Sequence, residues 1–256
     1  MTSVVRCQDL SKRFGGIVVA DRINLELKGG EIVGLIGPNG AGKTSLFNLI
    51  CGVVQPDEGH VYVGSRRVEK LPIYQHARLG LARTWQHVRL FNSLTVMDNL
   101  LIAPRDYLGE SLLKLMFGLK RLSAANHEAL DRAGALLERV GLAHKAAAHA
   151  FELSYGQQKL LGIARALMND GDCLLLDEPM AGVEGRTYDT IKAVVRTEAE
   201  RGKAICVIEH NVAFVRDICD HAVFMFNGSI MASGSVDALM ADRRLTDLYF
   251  GAGRGR

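Results

Sequence analysis

The sequence predicts an α/β fold with a helical insertion, and three observations predict it. First, Gly37-Pro38-Asn39-Gly40-Ala41-Gly42-Lys43-Thr44 fits the pattern G-x-x-x-x-G-K-[ST]. The short apolar run Ile32–Ile36 precedes it and reads as a buried strand, and Thr44–Ile50 follows as a helix with Leu46, Leu49 and Ile50 on one face. Second, two more apolar runs end in polar residues. Cys173-Leu174-Leu175-Leu176 runs into Asp177-Glu178, and Ala204-Ile205-Cys206-Val207-Ile208 runs into Glu209-His210. Both read as buried strands whose carboxyl ends carry chemistry, the place where open α/β sheets bind ligands. Third, residues 88–151, between the glycine-rich loop and Asp177, change character and read as helical.

In chain order, Val4–Leu27 reads as two strands, with Ile23, Leu25 and Leu27 alternating against Asn24 and Glu26. Phe14, just before Gly15-Gly16, is open between a core plug and a binding role. Lys28–Glu31 is a turn into the strand before the loop. In that loop the glycines let the backbone curl so that N–H groups face phosphate oxygens. Lys43 would reach the β- and γ-phosphates, the Thr44 hydroxyl would ligate Mg²⁺, and the helix N-terminus would add donors and a positive dipole end. The expected nucleotide contacts are therefore Gly37, Pro38, Asn39, Gly40, Ala41, Gly42, Lys43, Thr44 and Ser45.

Gly52–Gly59 is a turn-rich link to a short strand at Val61–Val63. Gln86, beside the only tryptophan, Trp85, is either a nucleotide-responsive contact or an exposed amide. A helix starts near Met97. Another carries Leu130, Ala133, Leu137 and Val140 on one face, with Gly141 as its C-cap. Leu108–Leu122 is dense in Leu, Met and Phe, with Lys114, Lys120 and Arg121 among them; it is either a helix packed on its own subdomain or a docking surface. Ser154 with Gln157 fits a capping box, opening a helix whose apolar face is Leu160, Ile163, Ala164 and Leu167. Such an N-terminus also presents donors to an anion.

Asp177 would bind Mg²⁺ directly or through water, and Glu178 would take a proton from an attacking water. His210 falls at the same edge, where a γ-phosphate would lie. Ala222–Phe226 and Gly228–Met231 read as two strands meeting at a turn. Asp237–Tyr249 reads as one helix, followed by a frayed tail from Gly251 to Arg256.

Composition narrows the function. The chain has 256 residues, 48% of them hydrophobic, enough for a sizeable core. Its net charge is +3, and no basic stripe interleaved with aromatics occurs, so nucleic-acid binding is not suggested. The five cysteines are odd in number and lack metal-ligand spacing, which suits reduced thiols in a cytosolic protein. No secretory signal and no bilayer-length apolar run is evident, so membrane association is expected through a partner.

Taken together, these motifs resemble the nucleotide-binding subunit of ATP-binding-cassette (ABC) transporters, over nearly the whole chain. Gly37–Thr44 matches the Walker A loop, Gln86 the glutamine loop, Leu153–Gln157 (LSYGQ) the signature motif, Cys173–Pro179 (CLLLDEP) Walker B, and His210 the switch histidine. LARTWQHVRLFNSLTVMDNLL (Leu81–Leu101), LSYGQQKLLGIARAL and VIEHN resemble the larger ATPase subunit of branched-chain amino acid importers. Importers for urea, amides or aromatic acids, and exporters, carry similar cassettes.

The resemblance implies a P-loop, RecA-like core of residues 1–87 and 152–256 with an antiparallel β portion at its N-terminus, and an inserted helical subdomain at 88–151. It implies ATP and Mg²⁺ as ligands: Phe14 on the adenine; Thr44, Gln86 and Asp177 on the metal; Glu178, His210 and Lys43 at the reacting phosphate. Ser154, Gly156 and Gln157 would close on the nucleotide of a second ATPase subunit, the same chain or a similar one, in a head-to-tail dimer. Transmembrane permease subunits, and indirectly a solute-binding protein, are the further partners, with the chain on the inner face of the cell membrane. One departure stands out. Where the family usually has Ala-Gly-Leu-Asn or Ala-Gly-Leu-Asp after Walker B, this chain has Ala181-Gly182-Val183-Glu184.

Overall fold

The computed structural model describes residues 3–104 and 119–251. Two sheets organise them. The first is antiparallel, with β1 (Ser3–Phe14), β2 (Ile17–Lys28), β4 (Glu58–Val63) and β5 (Arg66–Arg67) in the order β2-β1-β4-β5. Its inner face follows from alternation: Ile23, Leu25 and Leu27 are buried while Asn24 and Glu26 are exposed.

The second sheet has six strands: β3 (Ile32–Ile36), β6 (Leu81–Arg83), β7 (Cys173–Asp177), β8 (Ala204–Ile208), β9 (His221–Phe226) and β10 (Ser229–Gly234). The order is β10-β9-β3-β8-β7-β6, parallel throughout except for the β9–β10 hairpin. Every residue of β3, β7 and β8 is buried, because both faces of the sheet are covered. On one face Val33, Leu35, Leu175 and Cys206 pack with the first sheet and with helix α1 (Lys43–Ile50). On the other, Leu174, Leu176, Ile205 and Val207 pack against helices.

The segment read as helical contributes α3 (Val96–Leu101) and α4 (Leu119–Arg139). Its residues Val96, Leu100, Ala133, Leu136, Leu137 and Val140 share one apolar cluster with the sheet. Leu130 was expected on that face, yet it is 43% exposed; the buried stripe starts one turn later, at Ala133, and includes Leu136. Gly141, at φ +71, ends the helix as anticipated, with the Leu142 N–H donating to the Leu137 carbonyl. Leu108–Leu122 lies outside the described residues, apart from Leu119 onward, which opens α4.

Three helices were not anticipated: α2 (Ile73–Arg78), α6 (Arg186–Glu200) and α7 (Val212–Ile218). The predicted helix Asp237–Tyr249 is two, α8 (Val236–Ala241) and α9 (Arg243–Gly251). Asp242 turns extended between them, and its carboxylate accepts from the Arg244 N–H, so a local side-chain bond wins over helix continuation. All five cysteines are free thiols. Among the described residues no helix is long and apolar enough to cross a membrane.

Candidate active site

Register brings the site together. β8 lies between β3 and β7, with Leu35 and Asp177 both paired to Ile208. The loop 37–42, the pair Asp177-Glu178 and the pair Glu209-His210 therefore leave the same carboxyl edge.

The loop has little freedom. Gly37, Gly40 and Gly42 have φ of +148°, +79° and +101°. A Cβ on Gly37 would lie 2.1 Å from the Met225 carbonyl oxygen, and one on Gly42 would lie 2.3 Å from that of Val19. The loop is thus wedged between β9 and β2, and the Gly228 N–H donates to the Ala41 carbonyl (2.9 Å). Gly42 caps α1 without a side-chain acceptor, so no capping side chain competes with an anion for the first-turn N–H groups. Asn39, Gly40 and Thr44 are exposed; Pro38 and Ser45 are half-buried and Ala41 is buried.

Lys43 is buried, and its Nζ donates to the carbonyls of Gly37 (2.7 Å) and Pro38 (2.9 Å). Burial pulls its pKa down to about 8, against the attraction of Glu178 and Asp177.

Asp177 is 1% exposed. Its Oδ2 accepts from Arg83 Nη2 (2.8 Å), and its N–H donates to Thr84 Oγ1 (3.2 Å). Its Oδ1 is buried with no hydrogen-bond partner. A lone buried carboxylate oxygen is expensive, and it is the donor a hard cation takes. This donor fits Mg²⁺, and the loop fits a polyphosphate.

Glu178 follows with φ +48°, a strained value for a side-chain-bearing residue, held by its N–H on the Ile208 carbonyl (2.9 Å). Its two carboxylate oxygens are flanked. Gln86 Nε2 donates to Oε2 (2.9 Å), and His210 Nε2 lies 3.3 Å from Oε1. Gln86 is therefore an exposed residue bonded to Glu178 rather than a loose amide. Burial first, and then the charge of Lys43, lower the His210 pKa below its ordinary value, with Glu178 opposing. The imidazole is accordingly neutral at neutral pH.

Two groups of anticipated residues stand apart. Phe14 is 50% exposed near the β1–β2 hairpin tip, with Lys12 Nζ 5.4 Å from its ring centre, and is no core plug. Ser154, Gly156 and Gln157 open α5 (Tyr155–Leu167), where the expected capping box forms. The Ser154 N–H donates to Gln157 Oε1 (3.0 Å) and the Gln157 N–H to Ser154 Oγ (3.4 Å), so their bonds close on each other rather than on the phosphate loop. Gly156 abuts Thr187, and Glu184 is exposed.

Three residues of the site were missed. Arg83, buried against Phe47 and Trp85, also donates to Asn48 Oδ1 (2.7 Å) and holds Asp177. Glu209 is buried and accepts from the N–H groups of Met180 (2.7 Å) and His210 (3.1 Å), pinning the turn after Glu178 to the end of β8. Lys159, on α5, reaches the Gln86 and Glu178 backbones. The only sequence signals were a cation near Trp85, an acid at a strand end, and a lysine in an apolar stretch.

The family described as ABC transporter matches residues 20–181. The high-affinity branched-chain amino acid transport ATP-binding protein LivG of Salmonella typhimurium is 38% identical over 94% of this chain and 95% of its own length. BraF of Pseudomonas aeruginosa, with the same description, is 34% identical over 97% and 98%. Among solved structures, a nucleotide-free ATP-binding cassette from an ABC transporter is 32% identical, with a TM-score of 0.84 over 98% of this chain and all of that one. An ADP-bound cassette matches at 31% with the same TM-score. With that agreement in sequence and fold, on a chain whose strand edge gathers Lys43, Asp177, Glu178 and His210, this protein belongs to the ATP-binding cassette family of ABC transporters and is one of its ATPases.

Proposed function

We propose that the chain is the ATP-hydrolysing subunit of an importer for branched-chain or other hydrophobic amino acids, with Glu178 as general base. The observation that carries the catalytic part is Glu178 held between Gln86 and His210, one residue from the unpartnered Oδ1 of Asp177. The LivG and BraF descriptions support the solute class.

In this reading Gly37 to Ser45 and the N-terminus of α1 cradle the phosphates, Lys43 swings from its two carbonyls to the β- and γ-phosphates, and Phe14 covers the adenine. Thr44, Gln86 and Asp177 would hold Mg²⁺, which would supply charge neutralisation when bound. Glu178 orients water and accepts its proton, and His210 contacts the γ-phosphate. Positioning and charge stabilisation carry the rate. Ser154, Gly156 and Gln157, at the capped N-terminus of α5, serve the nucleotide of a second ATPase subunit placed head to tail, this chain or a similar one. Residues 88–151 form the helical subdomain inserted into the core of 1–87 and 152–256. The permease subunits, fed by a solute-binding protein, hold the pair at the inner face of the membrane.

Glu178→Gln tests this directly. Turnover should fall about a hundredfold or more, the range of lost general-base catalysis, while ATP stays bound. Size-exclusion chromatography with light scattering should show monomer without nucleotide and dimer with ATP and Mg²⁺. Near-normal hydrolysis would remove Glu178 from its role. A monomer that still binds ATP would assign the second position to a different ATPase subunit.

A further inference from the structure

Lys159 lies in the first turns of α5, five residues after Ser154, and is 5% exposed. Burying an ammonium is costly, and α5 otherwise buries Leu160, Leu161, Ile163, Ala164 and Leu167. Among the described residues Lys159 forms no ion pair within 4 Å. Its Nζ donates instead to two main-chain carbonyls from distant segments, Glu178 (2.9 Å) and Gln86 (3.1 Å). Those two residues are themselves joined through their side chains, Gln86 Nε2 to Glu178 Oε2 (2.9 Å). The result is a closed ring: ammonium, Gln86 backbone, Gln86 amide, Glu178 carboxylate, Glu178 backbone. Both peptides are fixed by one cation on a third element. At Glu178 that peptide follows a residue already at φ +48°.

We infer that Lys159 is a positioning residue, which makes the aim of the Glu178 carboxylate depend on where α5 sits and ties it to the Gln86 segment. The inference rests on the ATPase reading given above. The same helix begins with the Ser154 cap proposed to face the partner's nucleotide. Closure at one site would then reach the glutamate of the other through a single rigid helix. A neutral side chain of the same length would fill the space without fixing either carbonyl. A cleft of about 240 Å³ beside Lys159, lined by Trp85, Val88, Arg89 and Arg165, gives the Gln86 segment room to shift.

The test uses the full chain and Trp85, the only tryptophan and the neighbour of Gln86. In Lys159→Met, kcat should fall about tenfold or more with KM for ATP changed less than about threefold, as expected for misplacement of a reacting group. The Trp85 emission change on adding MgATP should also be lost although ATP still binds. Lys159→Arg should restore both, because it keeps charge and donors. If Lys159→Met does not fold, Lys159→Gln is held to the same criteria. A wild-type kcat in the neutral variant overturns the inference. So does a loss of rate that only tracks a lowered melting temperature and that arginine does not relieve. Glu178→Gln is the control: if it hydrolyses ATP, the role of Glu178 fails, whereas an inactive Glu178→Gln beside a normal Lys159→Met rejects Lys159 alone.

Discussion

Lys43 is a cation held in a buried niche by two carbonyls, and its chemistry can be read from that. Burial lowers its pKa from 10.5 to about 8, more than Glu178 and Asp177 raise it. The folded-state value lies below the unfolded one, so between about pH 8 and 10.5 the unfolded chain holds more protons and stability rises with pH. Below that window the burden of a buried charge is fully present. Phosphate oxygens reverse the balance, because they favour the charged form. Binding of MgATP should therefore take up protons near about pH 8.5 and take up few near about pH 7. Calorimetric titration in two buffers of different ionisation enthalpy reads that number. Equal uptake at both pH values would mean that Lys43 does not titrate with binding. Arg83 works in the opposite sense: its two terminal nitrogens donate to Asp177 Oδ2 and Asn48 Oδ1, and Asp177 Oδ1 is left buried without a hydrogen-bond partner.

At the scale of elements, caps decide where helices begin. Thr95 Oγ1 accepts from the Asp98 N–H (3.0 Å), and the Asp98 carboxylate answers the Thr95 N–H (3.3 Å), so α3 starts with a complete box. Thr95→Ala should cost about 1 kcal/mol, lowering the melting temperature by about 2–4 °C in a chain of this size, with kcat unchanged. Scanning calorimetry and an ATPase assay check it; an unmoved transition would mean the box adds nothing. The Ser154–Gln157 cap was legible because it is local, a polar pair three residues apart before an apolar face. Lys159 and Arg83 were not, because their partners lie 73 and 94 residues away in the chain. α6 was missed for a different reason. Its buried stripe runs Ile191, Val194, Val195 and then Glu198, an acid where the period asks for an apolar residue. Ion pairs to Arg139, Arg201 and Lys203 make that acid tolerable, and none of them is visible from local spacing. The strands β3, β7 and β8 were plain, since a short continuous apolar run between turns has few other uses.

For the whole molecule, the arrangement of sheets sets what nucleotide can do. The phosphate loop touches β2 of the first sheet through Gly42 and β9 of the second through Gly37. Phe14 stands near the end of the hairpin beside it, and the acids come from the far side of β8. A bound nucleotide would thus bridge parts of the fold that otherwise meet mainly through apolar packing. Ligand that binds only the folded form at about 100 times its Kd adds about 2.7 kcal/mol, which corresponds to about 5–10 °C of melting temperature for a chain this long. That much should appear in Glu178→Gln with either MgADP or MgATP. The two should then part. Association makes melting temperature depend on protein concentration, and simple binding does not. If the Ser154 cap seals the nucleotide of a second copy, the transition with MgATP should climb as protein concentration rises, while that with MgADP stays fixed. A transition independent of concentration for both, with the ligand shift intact, would show a sound nucleotide site and no self-pairing. The exposed Ser154 cap and Glu184 loop would then be surfaces shaped for a different ATPase subunit, and the exposed carboxylate of Glu184 would be the first side chain to exchange in seeking it.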